Sequence, residues 1–133
     1  MPVYTTTADL AMLPGIRDYV LAHAREAGLT TPMEPRLDLV LEEILVNVAK
    51  YAYNGDSGNV DVDCAVTDNT FCVTVRDRGV PFNPLEGDTP EFSTDVDERR
   101  IGGVGILLVT HMADRCSYER VDDTNELTFC FAL

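Results

Sequence analysis

Apolar residues along this chain recur at two alternating periods, and the switches between them mark out the elements. Residues 3–7, Val-Tyr-Thr-Thr-Thr, are β-prone and predict an edge strand. Ile16, Tyr19, Val20, His23, Ala24 and Ala27 then fall at helical spacing, and Gly28 closes the run. Thr7 or Asp9 is placed to cap this helix, and Pro14 fits only within its first turn. Pro32 and Pro35 predict a loop. Beyond it Leu37, Val40, Leu41, Ile44, Leu45, Val48 and Ala52 form one stripe of a long amphipathic helix, stopped at Asn54-Gly55.

The period then becomes two. Val60, Val62, Cys64 and Val66, and after Asp68-Asn69 Phe71, Val73 and Val75, alternate with polar residues, which predicts an antiparallel hairpin. Residues 84–101 have no period, and six acids (Glu86, Asp88, Glu91, Asp95, Asp97, Glu98) crowd into them ahead of Arg99-Arg100. A structureless stretch of this length inside a domain is characteristic of a functional lid. Gly102-Gly103-Val104-Gly105 opens an apolar helix from Ile106 to about Ala113. Two last strands, about 116–121 and 126–132, flank a turn at 122–125. The order β-α-α-β-β-lid-α-β-β predicts an α+β fold with helices on one face of a largely antiparallel sheet.

At 133 residues the chain is read as a single domain with room for a core of its own. Its 23 Asp and Glu against 10 Lys and Arg give a net charge of −13, which argues against a nucleic-acid binder and against an anionic membrane surface. No run is long and apolar enough to span a bilayer, and the first residues lack a secretory pattern. Cys64, Cys72, Cys116 and Cys130 have neither metal-ligand spacing nor a C-x-x-C pair, so they read as buried free thiols of a cytoplasmic protein.

The chemistry-bearing residues lie in three places. Glu43, Asn47 and Lys50 are spaced i, i+4 and i+7 on the long helix, in otherwise apolar surroundings. They suit either a solvated Glu–Lys pair or a set of hard oxygens with a cation, fit for Mg²⁺ and phosphate. Asp77-Arg78-Gly79 follows a strand, where a carboxylate can meet a ligand amine and glycine admits close approach. Gly102 to Gly105 offers backbone N–H groups at a helix start. It is not a Rossmann turn, since Leu108 stands in place of the third glycine, and no Gly-Lys-Ser/Thr follows as a P-loop requires.

Taken in order, Glu-x-x-x-Asn on a helix, a hairpin, Asp-x-Gly-x-x-Phe, a lid and Gly-Gly-x-Gly opening a helix resemble the histidine-kinase-like ATPase superfamily of gyrase, histidine kinase and MutL. Within it the chain looks most like the stand-alone RsbW-type anti-sigma-factor serine/threonine kinases. Residues 42–53 match the N box, Asp77 to Phe82 the first glycine box, and Gly102 to Leu108 the second. The resemblance implies a two-layer α/β sandwich of the Bergerat type, a mostly antiparallel mixed sheet covered on one face by about three helices. It implies ATP and Mg²⁺ as cofactors, with Asn47 on the metal, Asp77 on the adenine amino group and Gly79 giving access to the base. Gly103, Val104 and Gly105 would meet the phosphates, with Gly102, Phe82, Lys50 and Arg100 completing the site, and Glu43 would be the general base. A STAS-type antagonist is the implied substrate, with a sigma factor and a second copy of the chain as further partners. Tyr51 stands where RsbW-like kinases often carry His, and Lys50-Tyr51 is closer to the N box of histidine kinases. Two alternatives therefore stand beside the kinase: an ATP-binding regulatory module without phosphotransfer, and a detached histidine-kinase catalytic domain. The latter's paired dimerisation helices have no counterpart here.

Overall fold

A computed structural model describes residues 3–53, 57–81 and 112–133. Strand β1 (Tyr4–Thr7) leads through a short 3-10 turn into helix α1 (Leu13–Ala27), and a second such turn precedes helix α2 (Glu34–Asn47). Strands β2 (Asn59–Thr67), β3 (Thr70–Asp77), β4 (Arg115–Val121) and β5 (Thr124–Ala132) follow. The sheet order is β1-β2-β3-β5-β4. Every pairing among the described residues is antiparallel, so the mixed sheet expected from the sequence is antiparallel throughout them. Two α-helices are described; the third expected helix, 106–113, lies almost wholly outside the described residues, as does the stretch 84–101.

The local chemistry explains the boundaries. Gly28 closes α1 in the left-handed region (φ 101), its N–H returning to the last turn. Asp9 does act as a cap, but of the 3-10 turn before α1, through Ala11 N–H to its Oδ1 at 3.0 Å. Pro32 and Pro35 do not mark an open loop: they sit in the first turns of the second 3-10 helix and of α2, where their missing N–H costs nothing. Both hairpins turn on two residues of positive φ, Asp68-Asn69 (50 and 61) and Asp122-Asp123 (48 and 65), as a type I′ turn requires. The second turn is tighter than the sequence suggests, and Asn125 belongs to β5.

Ile16, Val20 and Ala24 of α1 and Leu37, Val40, Leu41, Ile44 and Leu45 of α2 pack on Val60, Val62, Phe71, Val73, Val75, Phe129 and Phe131. Val66, on the same alternation, is 56% exposed at the hairpin tip beyond the helices. The opposite sheet face is polar, with Arg76 between Asp63 and Glu126 and Thr74 paired with Thr128. His23 is satisfied locally, Nδ1–H donating to Tyr19 O at 2.9 Å.

Two of the four cysteines are not free thiols. Cys72 and Cys130 stand directly opposite in the β3–β5 register and are joined as a disulfide. Their separation of 58 residues hides that pairing from the sequence. Cys64 and Cys116 are free. Among the described residues no helix is long and apolar enough to cross a membrane.

Candidate functional site

The C-terminal end of α2 does not simply stop. Val48–Ala52 winds as a π-helical turn, a widening often found at functional sites. It is latched to the end of β3: Val80 N–H donates to Ala52 O at 2.8 Å and Arg78 N–H to Tyr53 Oη at 2.9 Å. A Cβ at Gly79 would lie 2.0 Å from Ala52 O, so the glycine is required by this close approach of two backbones.

Between α2, the π turn, β3, β4 and β5 lies an open cleft. Its walls are apolar (Ile44, Val48, Ala52, Val75, Val80, Leu127), with four polar groups, Asn47, Asp77, Tyr118 and Asn125, converging on it. This combination is the usual form of a small-molecule site. Asp77 is 7% exposed at the end of β3. Its Oδ1 accepts two hydrogen bonds, from Gly79 N–H and from Asn125 Nδ2, both at 2.9 Å. Its Oδ2 accepts none among the described residues. No buried side-chain polar atom there lacks a partner, so Oδ2 is the oxygen that reaches the cleft. A carboxylate with one oxygen occupied and one open to an apolar cleft is a directional acceptor for a ligand N–H.

On the helical rim Asn47 Nδ2 donates to Glu43 O at 2.8 Å and to Glu43 Oε2 at 3.3 Å. Both amide hydrogens being used, Asn47 Oδ1 is left as an acceptor lining the cleft, which fits a hard cation. Among the described residues no group of three His, Cys, Asp or Glu could hold a metal by itself, so a cation here would draw most of its ligands from a bound anion or water. Glu43 is half-buried one turn behind Asn47 and pairs with it, not with Lys50. Lys50 lies in the π turn, is exposed, and has no ion-pair partner among the described residues. Asn47, Asp77 and Gly79 are thus brought together and Glu43 adjoins them. Phe82, Arg100, Gly102, Gly103, Val104 and Gly105 lie outside the described residues.

Two residues lining this cleft, Asn125 and Tyr118, and Arg120 bonded to the first of them, were not singled out from the sequence. Asn125 is 5% exposed, and its side chain bonds Asp77, Val80 O, Tyr118 and Arg120. The signal for it was present. Asn125, Leu127, Phe129 and Phe131 share one period-two face, so an asparagine on an otherwise apolar face required buried partners.

Residues 6–131 match the family described as the histidine kinase-like ATPase domain. Over 93 residues the chain is 27% identical to the serine/threonine-protein kinase BtrW of Bordetella bronchiseptica, covering 69% of this chain and 66% of that protein. Over 96 residues it is 28% identical to the serine-protein kinase RsbW of Listeria monocytogenes, covering 68% of this chain and 61% of that protein. The chain therefore spans somewhat under two thirds of the length of these relatives. The histidine kinase AdeS of Acinetobacter baumannii shares the fold, with a TM-score of 0.53 at 11% identity over 99% of this chain and 68% of that one.

Proposed function

Because the chain belongs to the histidine kinase-like ATPase family, we propose that it is an ATP-dependent protein serine/threonine kinase of the partner-switching kind. Its substrate is a small STAS-type antagonist protein, and it sequesters a sigma factor when that antagonist is unavailable. In this reading the 133 residues act as one ATPase domain, in the cytoplasm, and pair with a second copy.

The nucleotide part rests on one observation: the Asp77 carboxylate in an apolar cleft, with Oδ1 occupied and Oδ2 open. That oxygen accepts the 6-amino group of adenine, and the walls Ile44, Val75 and Leu127 bury the base. Asn47 Oδ1 would hold Mg²⁺, which supplies charge neutralisation at the phosphates. Lys50, exposed and without a carboxylate partner among the described residues, is available to a phosphate; the family resemblance gives the same role to Arg100 and to the backbone of Gly102, Gly103, Val104 and Gly105, which lie outside the described residues. Phe82 adjoins Pro81 at the end of the first glycine box.

The kinase part is supported by the serine-kinase relatives and by Glu43 one turn from Asn47. The substrate hydroxyl oxygen bonds to the γ-phosphorus and the bond to the bridging oxygen breaks. ADP leaves, and the hydroxyl proton passes to Glu43. Asn47 Nδ2 holds that carboxylate on the side facing the metal ligand. The test is label transfer from Mg-[γ-³²P]ATP to a STAS-type antagonist. Transfer by the wild type and its loss in Glu43→Gln are expected. Transfer undiminished in Glu43→Gln removes the base from the mechanism. ATP binding with no labelled partner favours the regulatory module instead.

A further inference from the structure

Asn125 uses all four of its hydrogen-bonding positions. Nδ2 donates to Asp77 Oδ1 and to Val80 O, both at 2.9 Å. Oδ1 accepts from Tyr118 Oη and from Arg120 Nη1, the latter at 3.1 Å. The same Nη1 also donates to Gly79 O at 2.9 Å. A primary amide has two faces that differ only in which end donates. Turned over, Asn125 would set its carbonyl oxygen against the Asp77 carboxylate, acceptor to acceptor, and leave its NH₂ facing two donors. The acceptors Asp77 Oδ1 and Val80 O on one side and the β4 donors on the other fix the same orientation, and the charged donor binds more strongly than a neutral one. Arg120 is an inward-facing residue on an edge strand, 28% exposed along its side chain; its guanidinium bonds this amide and the Gly79 carbonyl through Nη1, and Nη2 lies 3.9 Å from Oδ1 of the fully exposed Asp123.

We propose that Arg120 is a positioning residue that sets purine specificity: through Asn125 and the Gly79 carbonyl it holds Asp77 Oδ1 occupied and Oδ2 open to a 6-amino group. This rests on the adenine-nucleotide reading of the cleft. A 6-oxo purine offers an acceptor to the same oxygen and is repelled. Without Arg120 the amide loses its charged donor and the Gly79 carbonyl its anchor, so the Asp77-Gly79 turn is free to shift; Asp77 then no longer presents one defined oxygen and the two purines become alike. Arg120 touches no ligand in this scheme, and Tyr118 supports the same amide from its second lone pair.

The experiment is calorimetric titration of the full chain with ADP and with IDP, read as the ratio of the two affinities. The wild type is expected to favour ADP by at least about tenfold. Arg120→Met, which keeps the aliphatic stem, should lower that ratio about tenfold, towards the value for Asp77→Asn, with IDP affinity changed by less than about twofold. Arg120→Lys, with one donor direction fewer, and Tyr118→Phe should fall between. If Arg120→Met does not fold, as judged by its melting without nucleotide, those two variants decide by the same ratio. Equal weakening of ADP and IDP marks a merely structural arginine and overturns the proposal, as does an unchanged ratio. A wild type that binds neither nucleotide overturns the adenine reading and this inference together. A discriminating wild type with a discriminating Arg120→Met overturns this inference alone.

Discussion

Replacing Gly79 by alanine tests the latch between the π turn and the end of β3. The new Cβ would stand 2.0 Å from Ala52 O, 2.5 Å from Ala52 C and 2.6 Å from Ala52 Cβ, where ordinary contact begins at 3.4 Å. The turn must withdraw by 3.4 − 2.0 = 1.4 Å, and the atoms in the way are mostly backbone, which yields least. Withdrawal stretches the 2.8 Å bond from Val80 N–H to Ala52 O and disturbs the bonds of Gly79 N–H to Asp77 and of Arg120 to Gly79 O. One lost backbone bond is about 1 kcal/mol and forced repacking about 1–3 kcal/mol, so a loss of about 2–4 kcal/mol is expected. One term opposes it. Gly79 has no positive φ, so alanine should stabilise by about 0.4–1 kcal/mol through the unfolded chain. The steric term wins. Urea unfolding measures the midpoint, with an unchanged slope as the check that only stability moved. Gly28→Ala is the control, since φ 101 strains it although nothing lies within 4 Å of its Cβ. A Gly79→Ala protein that unfolds at or above the wild-type midpoint would falsify the close-approach account and with it the claim that this latch shapes the cleft.

Other outcomes follow from the same geometry. Asp77→Asn, which keeps shape but removes the charge, should weaken ADP binding by about 1–3 kcal/mol by calorimetry, and unchanged affinity would sink the adenine assignment. Removing Mg²⁺ with EDTA should reduce ATP affinity of the wild type by at least about tenfold but leave Asn47→Ala, already weak, nearly unmoved; equal losses would take Asn47 off the metal. Burial, with Asp63 beside it, pushes the Cys64 thiol up to about 12. The unfolded thiol ionises near about 8.5, so stability should fall above that pH by up to about 1.4 kcal/mol per unit until the folded value is reached. Denaturation of the wild type against Cys64→Ala from pH 8 to 11 reads that term, and parallel curves would contradict it.

Most of the framework was legible in the residue pattern because it rests on short-range chemistry. The periods of the two helices and the four longer strands, Gly28 at the end of α1 and the Asp68-Asn69 turn are set by neighbours within a few positions. So was the grouping of Glu43 with Asn47, which one helical turn places side by side. Asn125 was misplaced because Asp122-Asp123 closes the second hairpin in two residues; a loop two residues longer would have left the asparagine outside the sheet. Cys72 and Cys130 join because β3 pairs with β5 and not with its sequence neighbour β4, a choice made by the whole sheet. Gly79 shows the same division. Its sequence context admits a turn or a ligand contact, and only the approach of Ala52, 27 positions earlier, makes the missing Cβ necessary. Residue identity along this chain determined which groups could do chemistry. Long-range strand order and register determined how Asp77 is held to do it, because the second donor to its Oδ1, beside the local Gly79 N–H, is Asn125 of β5, itself bonded from β4.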